Sequence, residues 1–187
     1  MDSSELRTNL EKYHSESYGW ALSCCAHNQT EAEGVLQAVY LKMLEGRACF
    51  DGRAAFKTWL FAVIRRTAAD ERRQHWLRGF RLLKYVEPAA NVASPDEAIY
   101  QAELRTLFRR ALAALPKRQR EVLQLVFYHD LSLAEAAAVL GIALGSARTH
   151  YERGKQRLRQ WLKEEQVSDE STGRADQRVI STTEAGR

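Results

Sequence analysis

The chain has 187 residues, 45% of them apolar, and carries 28 Lys or Arg against 24 Asp or Glu for a formal charge of +4. That is the make-up of a globular protein with room for one substantial core or two small ones. Few prolines, few β-branched runs and much Ala, Leu, Arg and Glu favour helix over sheet, and with no signal peptide and no apolar run of membrane-spanning length the chain is expected in the cytoplasm, without membrane insertion.

The charge is unevenly placed. Residues 1–51 hold eight acids and four Lys or Arg, whereas residues 52–85 hold two acids and nine Lys or Arg. Such asymmetry suggests a polyanion on the second segment and a different partner on the first. Cys24, Cys25 and Cys49 are odd in number and lack zinc-like spacing, so buried, reduced thiols are expected and no metal or cofactor. Paired carboxylates, a nucleophile with its base, or a phosphate-cradling glycine loop do not occur at usable spacing, which argues against an enzyme.

In chain order, residues 3–27 read as a helix whose Tyr13, Tyr18 and Trp20 are expected in a core. Thr30 with Glu33 reads as the start of a second helix, with Val35, Leu36, Val39, Tyr40, Met43 and Leu44 as its apolar stripe. Its exposed first turns carry Glu31, Glu33 and Gln37, either a solvated face or a docking one.

Residues 54–75 form a third helix. Phe56, Leu60, Val63 and Ile64 supply its buried face, while Trp59 and Phe61 lie off that face or at its border, beside Arg65, Arg66, Arg72 and Arg73. Aromatic rings interleaved with arginine suit single-stranded nucleic acid, because unstacked bases stack on rings and guanidinium groups hold phosphates. A core tryptophan beside solubilising arginines fits the same residues.

Residues 76–93 lose helical periodicity and read as a flexible linker. Ser94-Pro95-Asp96-Glu97 then supplies an N-cap, an N1 proline and first-turn acids for a new helix. Pro116 separates it from the next, in which Val122, Leu123, Leu125, Val126 and Phe127 are expected to pack and Lys117, Arg118 and Arg120 crowd the exposed start.

The stretch 131–158 reads as two helices around a tight turn. Ser132 and Glu135 make a capping box, and Gly141 permits the left-handed conformation that ends one helix and lets another begin. The second helix has Leu144, Ala147, Tyr151, Leu158 and Trp161 on its packing face. Ser146, Arg148, Thr149, His150, Arg153 and Lys155 point elsewhere, and between residues 144 and 162 five cations face one acid. In a helix-turn-helix, residues near that helix start meet base edges in the major groove. An ordinary helical hairpin with a basic face is the plainer alternative. From Lys163 the polar composition predicts a tail unable to fold alone.

The fold class expected is thus all-α: two small helical domains joined by a flexible linker, the second a four-helix domain ending in a helix-turn-helix. The expected boundaries are 1–75, linker 76–93, 94–163, and a disordered tail over 164–187.

This arrangement resembles a bacterial extracytoplasmic-function (ECF) sigma factor, most closely in FDGRAAFKTWLFAVIRRTAADERRQ (50–74) and ALAALPKRQREVLQLVFYHDLSLAEAAAVLGIALGSARTHYERGKQRL (111–158), and more weakly in EAEGVLQAVYLKML (31–44). The resemblance implies that Glu31, Glu33 and Gln37 dock on core RNA polymerase, although Gly34 and Ala38 stand where family members usually carry acids. It implies capture of the melted −10 promoter element by the 56–73 segment, with Trp59, Arg65 and Asp70 at matching places, Arg66 where asparagine is common, and Arg72 and Arg73 beside them. It makes the helix from 144 the −35 reader, with Ser146, Arg148, Thr149, His150 and Arg153 towards the groove. Lys117, Arg118, Arg120, Lys155 and Arg157 then bind phosphates. The implied partners are core polymerase, promoter DNA and an anti-sigma factor. Two rivals are an autonomous helix-turn-helix regulator, which would dimerise and leave residues 30–75 without a role, and a helical adaptor that never touches DNA.

Overall fold

The computed structural model describes residues 2–79 and 110–183, the last helix beyond residue 164 by its backbone alone. Every regular element among them is a helix: α1 (Ser3–Cys24), α2 (Gln29–Leu44), α3 (Phe56–Gly79), α4 (Lys117–Phe127), α5 (Leu133–Leu140) and α6 (Leu144–Thr183). Most of the helix expected from Ser94 and most of the expected linker lie outside the described residues; the end of that helix, 110–113, is helical. Residues 76–79, expected in the linker, continue α3.

Local chemistry sets the helix ends. Asp2 accepts the Glu5 N–H at the start of α1. The cap of α2 is Asn28, whose side chain accepts the Glu31 N–H at 3.1 Å, rather than the expected Thr30, which lies inside the helix. Asn and Thr compete for this role in one short stretch, and the stronger cap former wins.

The chain divides into two compact units, one of Met1–Ser94 with Gln124–Ala147, the other of Pro95–Leu123 with Arg148–Arg187. The Ala-rich α5 packs against α3, buried through Ala136, Ala137, Val139 and Leu140 and seating its start beside the start of α3.

In the first unit α1, α2 and α3 pack pairwise. Their core contains Trp20, Val35, Leu36, Val39, Met43, Leu60, Phe61 and Ile64. Phe61, expected at the border of the buried face, is fully buried and stacks on Trp20 with ring centroids 5.9 Å apart. The Trp20 indole N–H donates to the Phe61 carbonyl at 3.1 Å, so the largest core side chain has its one polar atom satisfied. Tyr13 and Tyr18 are only half-buried. Leu44, expected in the α2 stripe, is 73% exposed, and Phe127 at the end of α4 is 53% exposed rather than packed. Both sit at helix termini.

In the second unit Leu112, Leu115 and Leu123 form a small cluster on which Tyr151 packs. The buried Gly154 allows α6 to approach α4 there: a Cβ at this position would lie 2.9 Å from Leu123 Cδ1. The backbone of α6 stays helical to Thr183, where composition predicts a disordered tail. Glu, Gln, Arg and Ala are all good helix formers, and Gln160 donates to Glu164 one turn on.

Candidate nucleic-acid interface

On α2 the buried face is Ala32, Val35, Leu36, Val39 and Met43, leaving Glu31, Glu33 and Gln37 exposed as the sequence predicts. Steps of four, four and three place Glu33, Gln37, Leu41 and Leu44 in one row. Leu41 is 50% exposed. Sequence reading overlooked this apolar end of the acidic row; an apolar residue one position outside the buried stripe was the available signal. Nothing fills the space beside Gly34, and near it a cleft of about 300 Å³ is lined by Cys25, Glu31, Gly34, Glu71, Arg72 and His75. Burial pushes the Cys25 thiol up to about 11, so it stays protonated. Cys49, expected buried, is exposed, and its thiol points at the Gly46 carbonyl.

The predicted nucleic-acid residues of α3 separate into two sets. Trp59, Arg66, Asp70 and Arg73 recur at seven, four and three residues and so share one row, whereas Arg65 and Arg72 lie roughly a third of a turn round the helix. In the row, Arg66 and Arg73 are exposed and Trp59 and Asp70 half-buried, with Arg73 3.7 Å from the Asp70 carboxylate. Arg72 serves the fold itself, donating to the Cys24 carbonyl at 3.1 Å and so closing the end of α1. Arg65 is half-buried.

Trp59 belongs to an aromatic cluster, with ring centroids 5.3 Å from Phe50 and 5.5 Å from Phe56. The cluster fixes its ring while leaving part of it open. The core reading and the stacking reading of Trp59 are therefore compatible. A cleft of about 380 Å³ beside the row is lined by Leu41, Lys42, Arg47, Asp70, Arg73 and Gln74, among others, so the rows of α2 and α3 border one depression.

The turn between α5 and α6 follows the sequence closely. Glu135 N–H donates to Ser132 Oγ at 3.2 Å and Ser132 N–H to Glu135 Oε2 at 2.9 Å, completing the capping box. The Ser132 hydroxyl, donating to Glu135 Oε2 at 2.7 Å, and then the Ser132 N–H hold the Glu135 carboxyl below its ordinary range. Gly141 is left-handed at φ 61°, and the Ile142 N–H reaches back to the Ala137 carbonyl at 3.1 Å.

Along α6, Ala147 and Gly154 are buried and Tyr151, Leu158 and Trp161 half-buried, whereas Leu144 is 38% exposed at the helix start. Ser146, Thr149, Arg153 and Arg157 form one exposed row; Arg148 and Lys155 stand seven apart in another. His150 is half-buried at the border of the packing face. Lys155 is 3.6 Å from Glu152 and lies 4.8 Å over the Tyr151 ring. On α4, Arg118 donates to Glu121 at 3.1 Å with Lys117 3.9 Å from the same carboxylate, and Arg120 reaches the Ala113 carbonyl. These three cations are thus already held in place by local acceptors. Among the described residues no helix is long and apolar enough to cross a membrane.

A model of sigma-70 region 2 matches residues 10–78 and one of sigma-70 region 4 matches residues 105–158. The chain is 30% identical over 183 residues to the ECF RNA polymerase sigma factor SigX of Bacillus subtilis, across 92% of this chain and 94% of that one. It is 27% identical over 146 residues to SigW of the same species, across 73% and 78%. Among solved structures, the sigma factor RpoE of Bartonella quintana, crystallised with the anti-sigma factor NepR, superposes with a TM-score of 0.69 at 22% identity, over 85% of this chain and 97% of that one. CnrH, determined with the cytosolic domain of CnrY, gives 0.62 at 20% identity, over 87% and 90%; both share the fold.

Proposed function

The chain belongs to the ECF RNA polymerase sigma factors, the initiation factors that bring core polymerase to promoter DNA, and from that premise we propose which of its surfaces carries each step. The row Glu33, Gln37, Leu41 and Leu44 on α2, with Glu31 beside it, docks on core polymerase through apolar contact flanked by acids. The row Trp59, Arg66, Asp70 and Arg73 on α3 captures the melted −10 element. An unstacked base lies on the fixed Trp59 ring and the arginines hold the strand's phosphates. Arg65 and Arg72 stand behind that row.

The row Ser146, Thr149, Arg153 and Arg157, together with Arg148 and His150, faces the −35 duplex, while Lys155, Lys117, Arg118 and Arg120 position the backbone. Neither surface binds tightly by itself. Polymerase holds them at a fixed separation and raises the effective concentration of each site for its reader. Capture of flipped bases then offsets the few kcal/mol that each unstacking costs.

The observation that carries this reading is the α3 row, which joins a half-open, immobilised tryptophan to two exposed arginines on one line. An autonomous helix-turn-helix regulator would leave that row and residues 10–78 without use. In the cell the chain acts with polymerase in the cytoplasm, and an anti-sigma factor keeps it from polymerase until a signal arrives; pull-downs that recover only polymerase under every condition would contradict that last point.

Melting is the test of the α3 assignment. With core polymerase and a promoter of this factor, Trp59→Ala should leave duplex binding nearly intact and abolish permanganate reactivity of −10 thymines. Unchanged reactivity would refute the assignment.

A further inference from the structure

Gly34 and Ala38 stand one helical turn apart on α2, and each lines a cleft shared with α3. A Cβ added at Gly34 would meet no heavy atom within 4 Å, so the space beside it is open. On the opposite wall of the Gly34 cleft, Ala68, Glu71, Arg72 and His75 follow one another at helical spacing along α3. Glu71 lines both clefts.

The Glu71 carboxylate is half-buried, and among the described residues it has neither a hydrogen bond nor an ion pair. Its neighbours on α3 are engaged, Asp70 with Arg73 and Arg72 with the Cys24 carbonyl. A partly covered carboxylate without a partner has given up hydration and gained no cation in return. Glu31 lines the same cleft from α2 and is exposed. Against these two acids stands the single guanidinium of Arg72. The buried Cys25 thiol in the lining senses the balance: after burial itself, Glu31 pushes it further up and outweighs the opposing pull of Arg72. Elsewhere the lining is apolar, with Val35 and Ala68 buried.

An open, acidic cleft with an apolar floor suits a lysine or arginine side chain, whose aliphatic stem covers apolar surface while its charged head meets carboxylates. The same acids repel phosphate, so promoter DNA is not the occupant. We propose that this cleft is a socket for one basic side chain of core RNA polymerase, which enters over Gly34 and pairs with Glu71, with Glu31 beside it. The socket is continuous with the docking surface of α2, to which Glu31 belongs, and the proposal rests on that docking. Glycine at 34 keeps the entrance open, and α3 supplies the carboxylate.

Affinity for purified bacterial core polymerase, measured by competition with fluorescently labelled wild-type protein, tests the socket. Glu71→Gln should melt like the wild type, since the carboxylate has no partner within the fold, yet bind about tenfold more weakly, with the loss shrinking at high salt. Gly34→Leu should fold at least as well, because leucine is the better helix former and the space is open, but it fills the entrance and should lose affinity to a similar extent. The double variant should bind no worse than Gly34→Leu alone, because a filled socket has no cation left to lose. Wild-type affinity of either single variant, or additive losses in the double variant, would overturn the socket, as they would if a second copy or another protein were the occupant. Leu41→Ala reports on the α2 docking itself: if it weakens binding while the socket variants do not, that docking stands without the socket, and if it too binds like the wild type, the docking falls with it.

Discussion

Acidification should loosen the first unit through His129. Burial first, and then the nearby Lys57 charge, bring its imidazole from 6.5 down to about 4, against the smaller opposing pull of Glu16 and Asp130. Between those values the unfolded chain binds a proton that the folded chain refuses, so stability rises with pH in that window and is lost as pH falls through it. From pH 7 to pH 5 the loss works out at about 2 kcal/mol, and it reaches about 3 kcal/mol below pH 4. Urea unfolding followed by Trp fluorescence at both pH values measures it, with His129→Gln as the reference. The wild type should lose about 2 kcal/mol more than the variant on going from pH 7 to pH 5. Equal losses would refute the buried, neutral histidine, whatever the absolute stability of either protein.

Gly154→Val should destabilise the second unit by about 1–3 kcal/mol, since the new side chain meets Leu123 and Gln119; Gly34→Ala, in open space on α2, should be neutral or stabilising by up to about 1 kcal/mol in the same thermal melts. Ser132→Ala removes one half of the capping box and should cost about 1 kcal/mol in urea unfolding. In promoter binding by the polymerase complex, Arg148→Ala should cost about 1–3 kcal/mol on the preferred −35 sequence and little on others. Lys155→Ala should weaken all sequences alike and lower the salt dependence; sequence-blind losses for both would withdraw Arg148 from base contact.

The α5–α6 turn was legible residue by residue, because a capping box and a glycine C-cap are local chemistry: Ser132, Glu135 and Gly141 do in the structure what their spacing announces. The exposed rows were legible too, as helical periodicity alone places Glu33 with Gln37 and Arg66 with Arg73. What stayed hidden depends on partners distant in sequence. Phe61 looked marginal because its burial is supplied by Trp20, 41 residues away. Arg72 looked like one more phosphate ligand until the end of α1 was found beneath it. His129 carried no signal at all, since a single histidine in a loop has no period. Its burial follows from α5 packing on α3, a contact between elements distant in sequence.

The central claim is that this chain gives core polymerase its promoter choice through two separated surfaces. Run-off transcription with purified bacterial core polymerase on a pool of random promoter fragments, with and without the protein, tests it most directly. Transcripts should appear only with the protein, and their starts should share two upstream elements at constant spacing, the downstream one lost with Trp59→Ala and the upstream one relaxed by Arg148→Ala. Silent polymerase, with the protein alone retaining duplex fragments, would contradict the account.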